Sequence, residues 1–155
     1  MQTVSRALVE QVTEAARRSP RLRSNYNLHP SDQSRCHRLL NAIEPDSYIR
    51  PHRHLDPEKD EAFILLTGRL GVVSFDDTGT VVECVLLSLA GGDLAVDISN
   101  GTYHTAISLE SGTVFYETKA GPYLPVCEAE KAGWAPAESA PECQEYLQQL
   151  RALFV

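Results

Sequence analysis

Long apolar runs are missing from this sequence: nowhere do eighteen apolar residues follow one another, and Met1 to Arg18 mixes charges throughout without an apolar signal core. A membrane span and a secretory leader are therefore not expected, and a cytoplasmic location is. Cysteine is sparse and scattered. Cys36, Cys84, Cys127 and Cys143 form no CxxC pair, so neither a zinc knuckle nor a dithiol redox motif is written, and free thiols in a reducing compartment are expected. Positive charge is also short, because 14 Lys and Arg against 21 Asp and Glu leave a net charge of -7. Nucleic-acid binding needs a basic stripe that is lacking here, so a metabolite or a protein is the expected partner. No repeat of solenoid type is present.

What the chain does have is enough apolar material, 43% of 155 residues, for one core in a single domain. Residues 1–20 read as an N-terminal helix, with Val4, Leu8, Val12 and Ala15 or Ala16 on one stripe and Pro20 as its stop. Residues 19–37 show little period and read as a polar loop carrying Asn25, Tyr26, Asn27 and His29. From 36 to 120, short strand signals alternate with turns such as Thr67-Gly68-Arg69, Asp76-Asp77-Thr78-Gly79, Ala90-Gly91-Gly92-Asp93 and Asn100-Gly101. That spacing predicts an all-β sandwich or barrel. Residues 121–155 form an irregular extension, pinned by the lone Trp134. It ends in a helix announced by a Ser139…Glu142 capping box and a stripe of Leu147, Leu150, Leu153 and Phe154.

One constellation organises the rest. His52 and His54 are separated by one residue, so on an extended segment their side chains leave the same face while Arg53 leaves the other. Glu61 shares a strand face with Phe63 and Leu65, where a bare carboxylate is costly unless a cation compensates it. His104 shares one with Ala106 and Ser108. Three imidazoles and a carboxylate make a mixed nitrogen and oxygen set suited to a divalent transition metal, whether iron, zinc, manganese or nickel.

In this order the residues resemble the two motifs of the cupin superfamily. His52, His54, Glu61 and Gly68 match the first, and Gly91 or Gly92, Gly101 and His104 match the second. The six residues between His54 and Glu61 exceed the family's usual three or four, so Leu55 to Asp60 must bulge. Glu58 fits the shorter spacing but breaks the distance to Gly68. The segments Asn25-Tyr26-Asn27-Leu28-His29, Arg38-Leu39-Leu40-Asn41, Tyr48 to His54 and Trp134-Ala135-Pro136 further resemble the WbuC family of cupin-fold metalloproteins. The resemblance implies a cupin-type jelly-roll β-barrel with N- and C-terminal helices, one bound metal on His52, His54, Glu61 and His104, and a link to O-antigen polysaccharide clusters.

The expected function is action on a sugar or nucleotide-sugar, of isomerase or epimerase type, with the metal as Lewis acid. Tyr26, His29 or Tyr103 is the expected proton carrier, and Asn27, Arg50 and Arg53 the expected substrate contacts. An iron-dependent oxygenase and a non-catalytic metal-dependent sensor are the alternatives. Phe63-Ile64-Leu65-Leu66 is apolar on both faces and needs outer cover from a helix or a second subunit, so a homodimer is expected.

Overall fold

A computed structural model describes residues 1–154. The first helix, α1 (Arg6–Arg18), begins where Ser5 accepts a hydrogen bond from the Leu8 N–H at 3.2 Å, a side-chain cap for one of the free donors of the first turn. Eight strands follow: β1 (Arg23–Asn27), β2 (Cys36–Ile43), β3 (Glu61–Thr67), β4 (Arg69–Phe75), β5 (Val81–Ser88), β6 (Ala95–Ile98), β7 (Tyr103–Ser108) and β8 (Thr113–Ala120). They form a five-stranded sheet, β1-β2-β8-β3-β6, and a three-stranded sheet, β5-β4-β7, with antiparallel pairing throughout. This is the expected cupin-type jelly roll.

Period-two alternation divides the core into three parts. Between the sheets lie Ile43, Phe63, Leu65, Leu70, Val72, Leu87, Ala106 and Phe115. Outside the larger sheet, Val12 and Ala16 of α1 cover Leu40, Ala42 and Val114. Outside the smaller sheet, α2 (Cys143–Arg151) and the extension bury Val73, Phe75, Tyr103 and Ile107 beneath Ala132, Ala135, Leu147 and Leu150. Each sheet thus gains outer cover from one terminal segment, and Ile64 stays 43% exposed. At the β3–β4 turn Gly68 is required twice over. Its φ is +79°, and an added Cβ would stand 2.7 Å from the Thr113 Cα.

Two elements depart from the sequence reading. Arg23–Asn27 is a strand, although its residues Arg-Ser-Asn-Tyr-Asn show no apolar alternation. Its register comes from β2, running from Arg23↔Ile43 to Asn27↔Leu39, so its partner dictates the conformation. The Ser139…Glu142 capping box does not form. Glu142 itself occupies the cap position without a side-chain bond, and backbone turns from Ala140 N–H to Ala137 O and from Cys143 N–H to Ala140 O lead into α2.

The extension replaces a strand beside the histidine pair. His52 exchanges both backbone hydrogen bonds with His104, at 3.0 and 2.9 Å, and bridges to Lys131 on its other side. Ala132 N–H donates to Pro51 O, Arg53 N–H to Glu130 O, and the Arg50 guanidinium to Ala132 O at 2.7 Å. Residues 50–54 are therefore held extended between β7 and the tail, which keeps His52 and His54 on one side. Trp134 packs on Phe75 and Tyr103, with ring centroids 5.0 and 5.9 Å apart, as the clasp that pins the extension.

Candidate functional site

The inner faces of β2, β3, β7 and β8 change character along their length. Leu65, Phe63 and Glu61 follow one another on β3, and Phe115, Glu117 and Lys119 on β8, so an apolar end gives way to a charged one. At the charged end is a cavity of about 210 Å³ lined by His52, Glu61, His104, Asn41, Glu117 and Lys119, with Phe63, Ala106 and Phe115 as its floor.

The four expected ligands converge here. The ring centroid of His52 is 4.9 Å from that of His104 and 5.5 Å from that of His54. His54 Nε2 is 2.5 Å from Glu61 Oε1, and His104 Nε2 is 3.3 Å from Glu61 Oε2. Glu61 is 2% exposed and His104 3%. Leu55 to Asp60 loops out, with Glu58 N–H on the Asp56 carboxylate, and Glu58 stands exposed while Glu61 points inward.

Two histidines are oriented by backbone carbonyls two residues earlier: His52 Nδ1 is 3.1 Å from Arg50 O, and His104 Nδ1 is 2.9 Å from Thr102 O. A carbonyl only accepts, so each Nδ1 carries the proton and each Nε2 presents a lone pair. The His104 lone pair is buried without a hydrogen-bond partner and faces a carboxylate oxygen. Two acceptors in contact repel unless a cation stands between them. Burial, then neighbouring His104, bring the His52 imidazole down to about 4, so it is neutral at physiological pH. Burial pushes the Glu61 carboxyl up, but the hydrogen bond from His54 and the Lys119 charge hold it well below the usual carboxylate range. Imidazoles, two of them oriented through Nδ1, around an ionised carboxylate are the chemistry of a divalent metal site, and by donor type the four residues fit one.

Among the described residues, no group of three or more His, Cys, Asp or Glu side chains stands at metal-holding spacing. An internal cation stands on the carboxylate. Lys119 Nζ lies 2.7 Å from Glu61 Oε1 and 2.7 Å from Glu117 Oε1, and the Asn41 amide donates to Glu117 Oε2 at 2.5 Å. Glu61 is drawn onto Lys119 and His54. Burial opposes the Lys119 charge, but Glu117 and Glu61 more than offset it and keep the ammonium protonated. Glu117 is raised by burial against the pull of Lys119.

The remaining expected residues divide by strand face. Arg50 lines the mouth of the cavity with its guanidinium on Ala132 O. Asn27 and His29 stand in an adjoining pocket, separated from the histidines by Asn41, Glu117 and Lys119. There His29 stacks on His37 at 4.0 Å and accepts from the Arg38 N–H. Three residues are not brought to the cavity. Tyr26 alternates outward from Asn25 and Asn27 and packs in the cluster beneath α1. Tyr103 precedes an inward His104 and so points outward into the cluster beneath the extension. Arg53 turns the same way, 4.3 Å above the Tyr103 ring and 2.9 Å from Asp77. Residue type suggests these three for the site, and strand alternation turns them away from it, as the spacing of His52 and His54 already indicates for Arg53. Lys119, Glu117 and Asn41 escape the sequence reading, although their alternation with buried Phe115 on β8 and their pairing across β2 carry the signal.

Comparison with known proteins supports the fold. TT1209 from Thermus thermophilus is 20% identical, with a TM-score of 0.54, covering 78% of this chain and 98% of that one. KdgF from Halomonas sp. is 17% identical, with a TM-score of 0.52 and coverages of 67% and 83%. The capsular polysaccharide assembling protein CapF from Staphylococcus aureus is 16% identical with a TM-score of 0.53. The match covers 70% of this chain and only 28% of CapF. Among curated proteins none matches the sequence. No helix among the described residues is long and apolar enough to cross a membrane. Residues 4–87 match the family model described as Domain of unknown function (DUF6016), and the chain, a cupin-type jelly roll, belongs to that family.

Proposed function

We propose that this protein is a metal-binding cupin that acts on a sugar or nucleotide-sugar in the barrel cavity. The observation that carries the reading is the buried, unpartnered Nε2 of His104, 3.3 Å from Glu61 Oε2, on the carboxylate whose other oxygen His54 Nε2 meets at 2.5 Å. His52, His54, Glu61 and His104 would hold the ion. A divalent metal there supplies Lewis-acid polarisation of a bound ligand oxygen.

The chain's own residues supply the rest. Asn41, Glu117 and Lys119 present an amide, a carboxyl and an ammonium to the cavity, donors and acceptors suited to hydroxyl groups. Glu117 is the acid–base group: it lies on the cavity wall, and burial favours its protonated form. Phe63, Ala106 and Phe115 close the floor and exclude water. The WbuC resemblance and the likeness to a capsular polysaccharide assembling protein support a place in surface polysaccharide chemistry. Ile64 and Leu94, exposed on and beside β3, are the surface that a second copy would cover in a homodimer.

The test is nuclear magnetic resonance of metal-loaded protein in deuterated water with sugars and nucleotide-sugars. Deuterium incorporation beside a carbonyl carbon, abolished in Glu117→Gln, is the expected result. Turnover that survives Glu117→Gln removes the acid–base assignment. Tight binding without exchange favours the sensor reading, and oxygen uptake with iron the oxygenase.

A further inference from the structure

Past His52 the cavity opens into a second space of about 580 Å³, and Arg21, Arg23, Ile49 and His52 line both. Its wall carries Arg21, Arg23, Arg50 and Lys131 against one lining carboxylate, Glu138, with Lys131 also paired to Glu128 at 2.6 Å. In a chain with net charge -7, this concentration of cations at the barrel mouth sets a local field opposite in sign to the whole.

Two of the cations are already gripping a carboxylate. Arg21 Nη2 lies 2.9 Å from Glu138 Oε2 and 3.2 Å from Oε1, its Nε lies 3.2 Å from Oε2, and Arg23 Nη2 is 2.6 Å from Oε1. The Arg23 side chain is only 16% exposed, and its other nitrogen, Nη1, donates to Tyr48 O at 2.9 Å. Its fork is thus fixed before any ligand arrives. Glu138 is 36% exposed on its side chain, open to displacement. The extension does not need this ion pair for anchorage. Tyr48 OH to Pro136 O, Ala132 N–H to Pro51 O and the cluster under Leu147 already fix it.

We propose that Arg21 and Arg23 form a subsite for an anionic group of the substrate, a carboxylate or a phosphate, and that Glu138 occupies it in the free protein as an internal competitor. The proposal rests on the reading that the ligand enters the barrel past His52. A sugar acid or sugar phosphate would then seat its charge on the arginines and direct its ring toward the histidines.

The experiment is calorimetric titration of the full chain, treated with chelator, with glucuronate, glucose 1-phosphate and glucose. The two anions are expected to bind and glucose is not; the tighter anion tells carboxylate from phosphate. Glu138→Gln is expected to tighten anion binding by about fivefold, and Arg21→Gln, at an exposed position that leaves the Arg23 contact to Tyr48 intact, to weaken it about as much, the worth of one ion pair. Glucose binding as tightly as the anions, anion affinity unmoved by both substitutions, or no binding by any variant overturns the subsite. Metal uptake measured on the same protein stands or falls separately, so failure here and failure of the metal reading are told apart.

Discussion

The two ends of the barrel share strands and differ in everything else. At the closed end, Leu65 on β3, Leu70 on β4, Leu87 on β5 and Phe115 on β8 meet between the sheets with at most 4% exposure. At the open end, two to four residues further along β3 and β8, Glu61, Glu117 and Lys119 are equally buried or half-buried but charged. The closed end gains stability from apolar burial. The open end holds ions out of water, which costs free energy unless each is matched, and among its buried groups His104 Nε2 has no partner. One set of strands therefore carries both a hydrophobic plug that specifies the barrel and a charged cavity that it holds in place.

Substitutions can break this contrast in order of expected size. Phe115→Ala at the closed end should lower stability by about 4 kcal/mol through lost burial and a cavity, read as a fall in the urea midpoint. Lys119→Met at the open end should cost about 3 kcal/mol, because Glu61 and Glu117 lose the ammonium between them. That loss should be smaller at pH 5 than at pH 8, since burial predisposes Glu117 to take a proton. If Lys119→Met matches wild type at both pH values, the ion network is not what holds the open end.

Acid separates the ends again. In metal-free protein the folded state keeps His52 neutral down to about 4, whereas an unfolded histidine titrates near 6.5. Its contribution is fully present above about 6.5 and is lost as pH falls toward 4. Glu61, depressed, adds a loss below the ordinary carboxylate range. Thermal melts should show falling stability over this window, and His52→Gln should flatten the upper part of the slope. The smallest effect belongs outside both ends: Ser5→Ala should cost about 1 kcal/mol by removing the cap of α1, with no change in ligand binding.

Sequence order makes much of this legible. His52, His54, Glu61 and His104 can be assembled because period-two alternation and motif spacing act through the backbone, and the choice of Glu61 over Glu58 follows from the distance to Gly68. The strand β1 is not legible, because Arg23–Asn27 has no apolar pattern of its own and owes its form to β2. Without β1, nothing in the sequence says that Arg23 and Asn25 face inward and Tyr26 outward. The Lys119 network is hidden for another reason. Which charges meet across a barrel depends on the β2–β8–β3 strand order, and His37↔Lys119↔Glu61 is a register that no local pattern announces.

The central claim is that His52, His54, Glu61 and His104 hold a divalent ion. The most direct test is metal titration of chelator-stripped protein beside His104→Leu, with urea unfolding of both. Wild type is expected to bind tightly and stoichiometrically, and His104→Leu to lose more affinity than the 10–100-fold roughly typical of losing an outer-shell partner. The same variant should stay within about 1 kcal/mol of wild-type stability, because the removal of the unpartnered Nε2 offsets the loss of the Nδ1 hydrogen bond to Thr102 O. Undiminished metal binding by His104→Leu, or none by wild type, would contradict the claim.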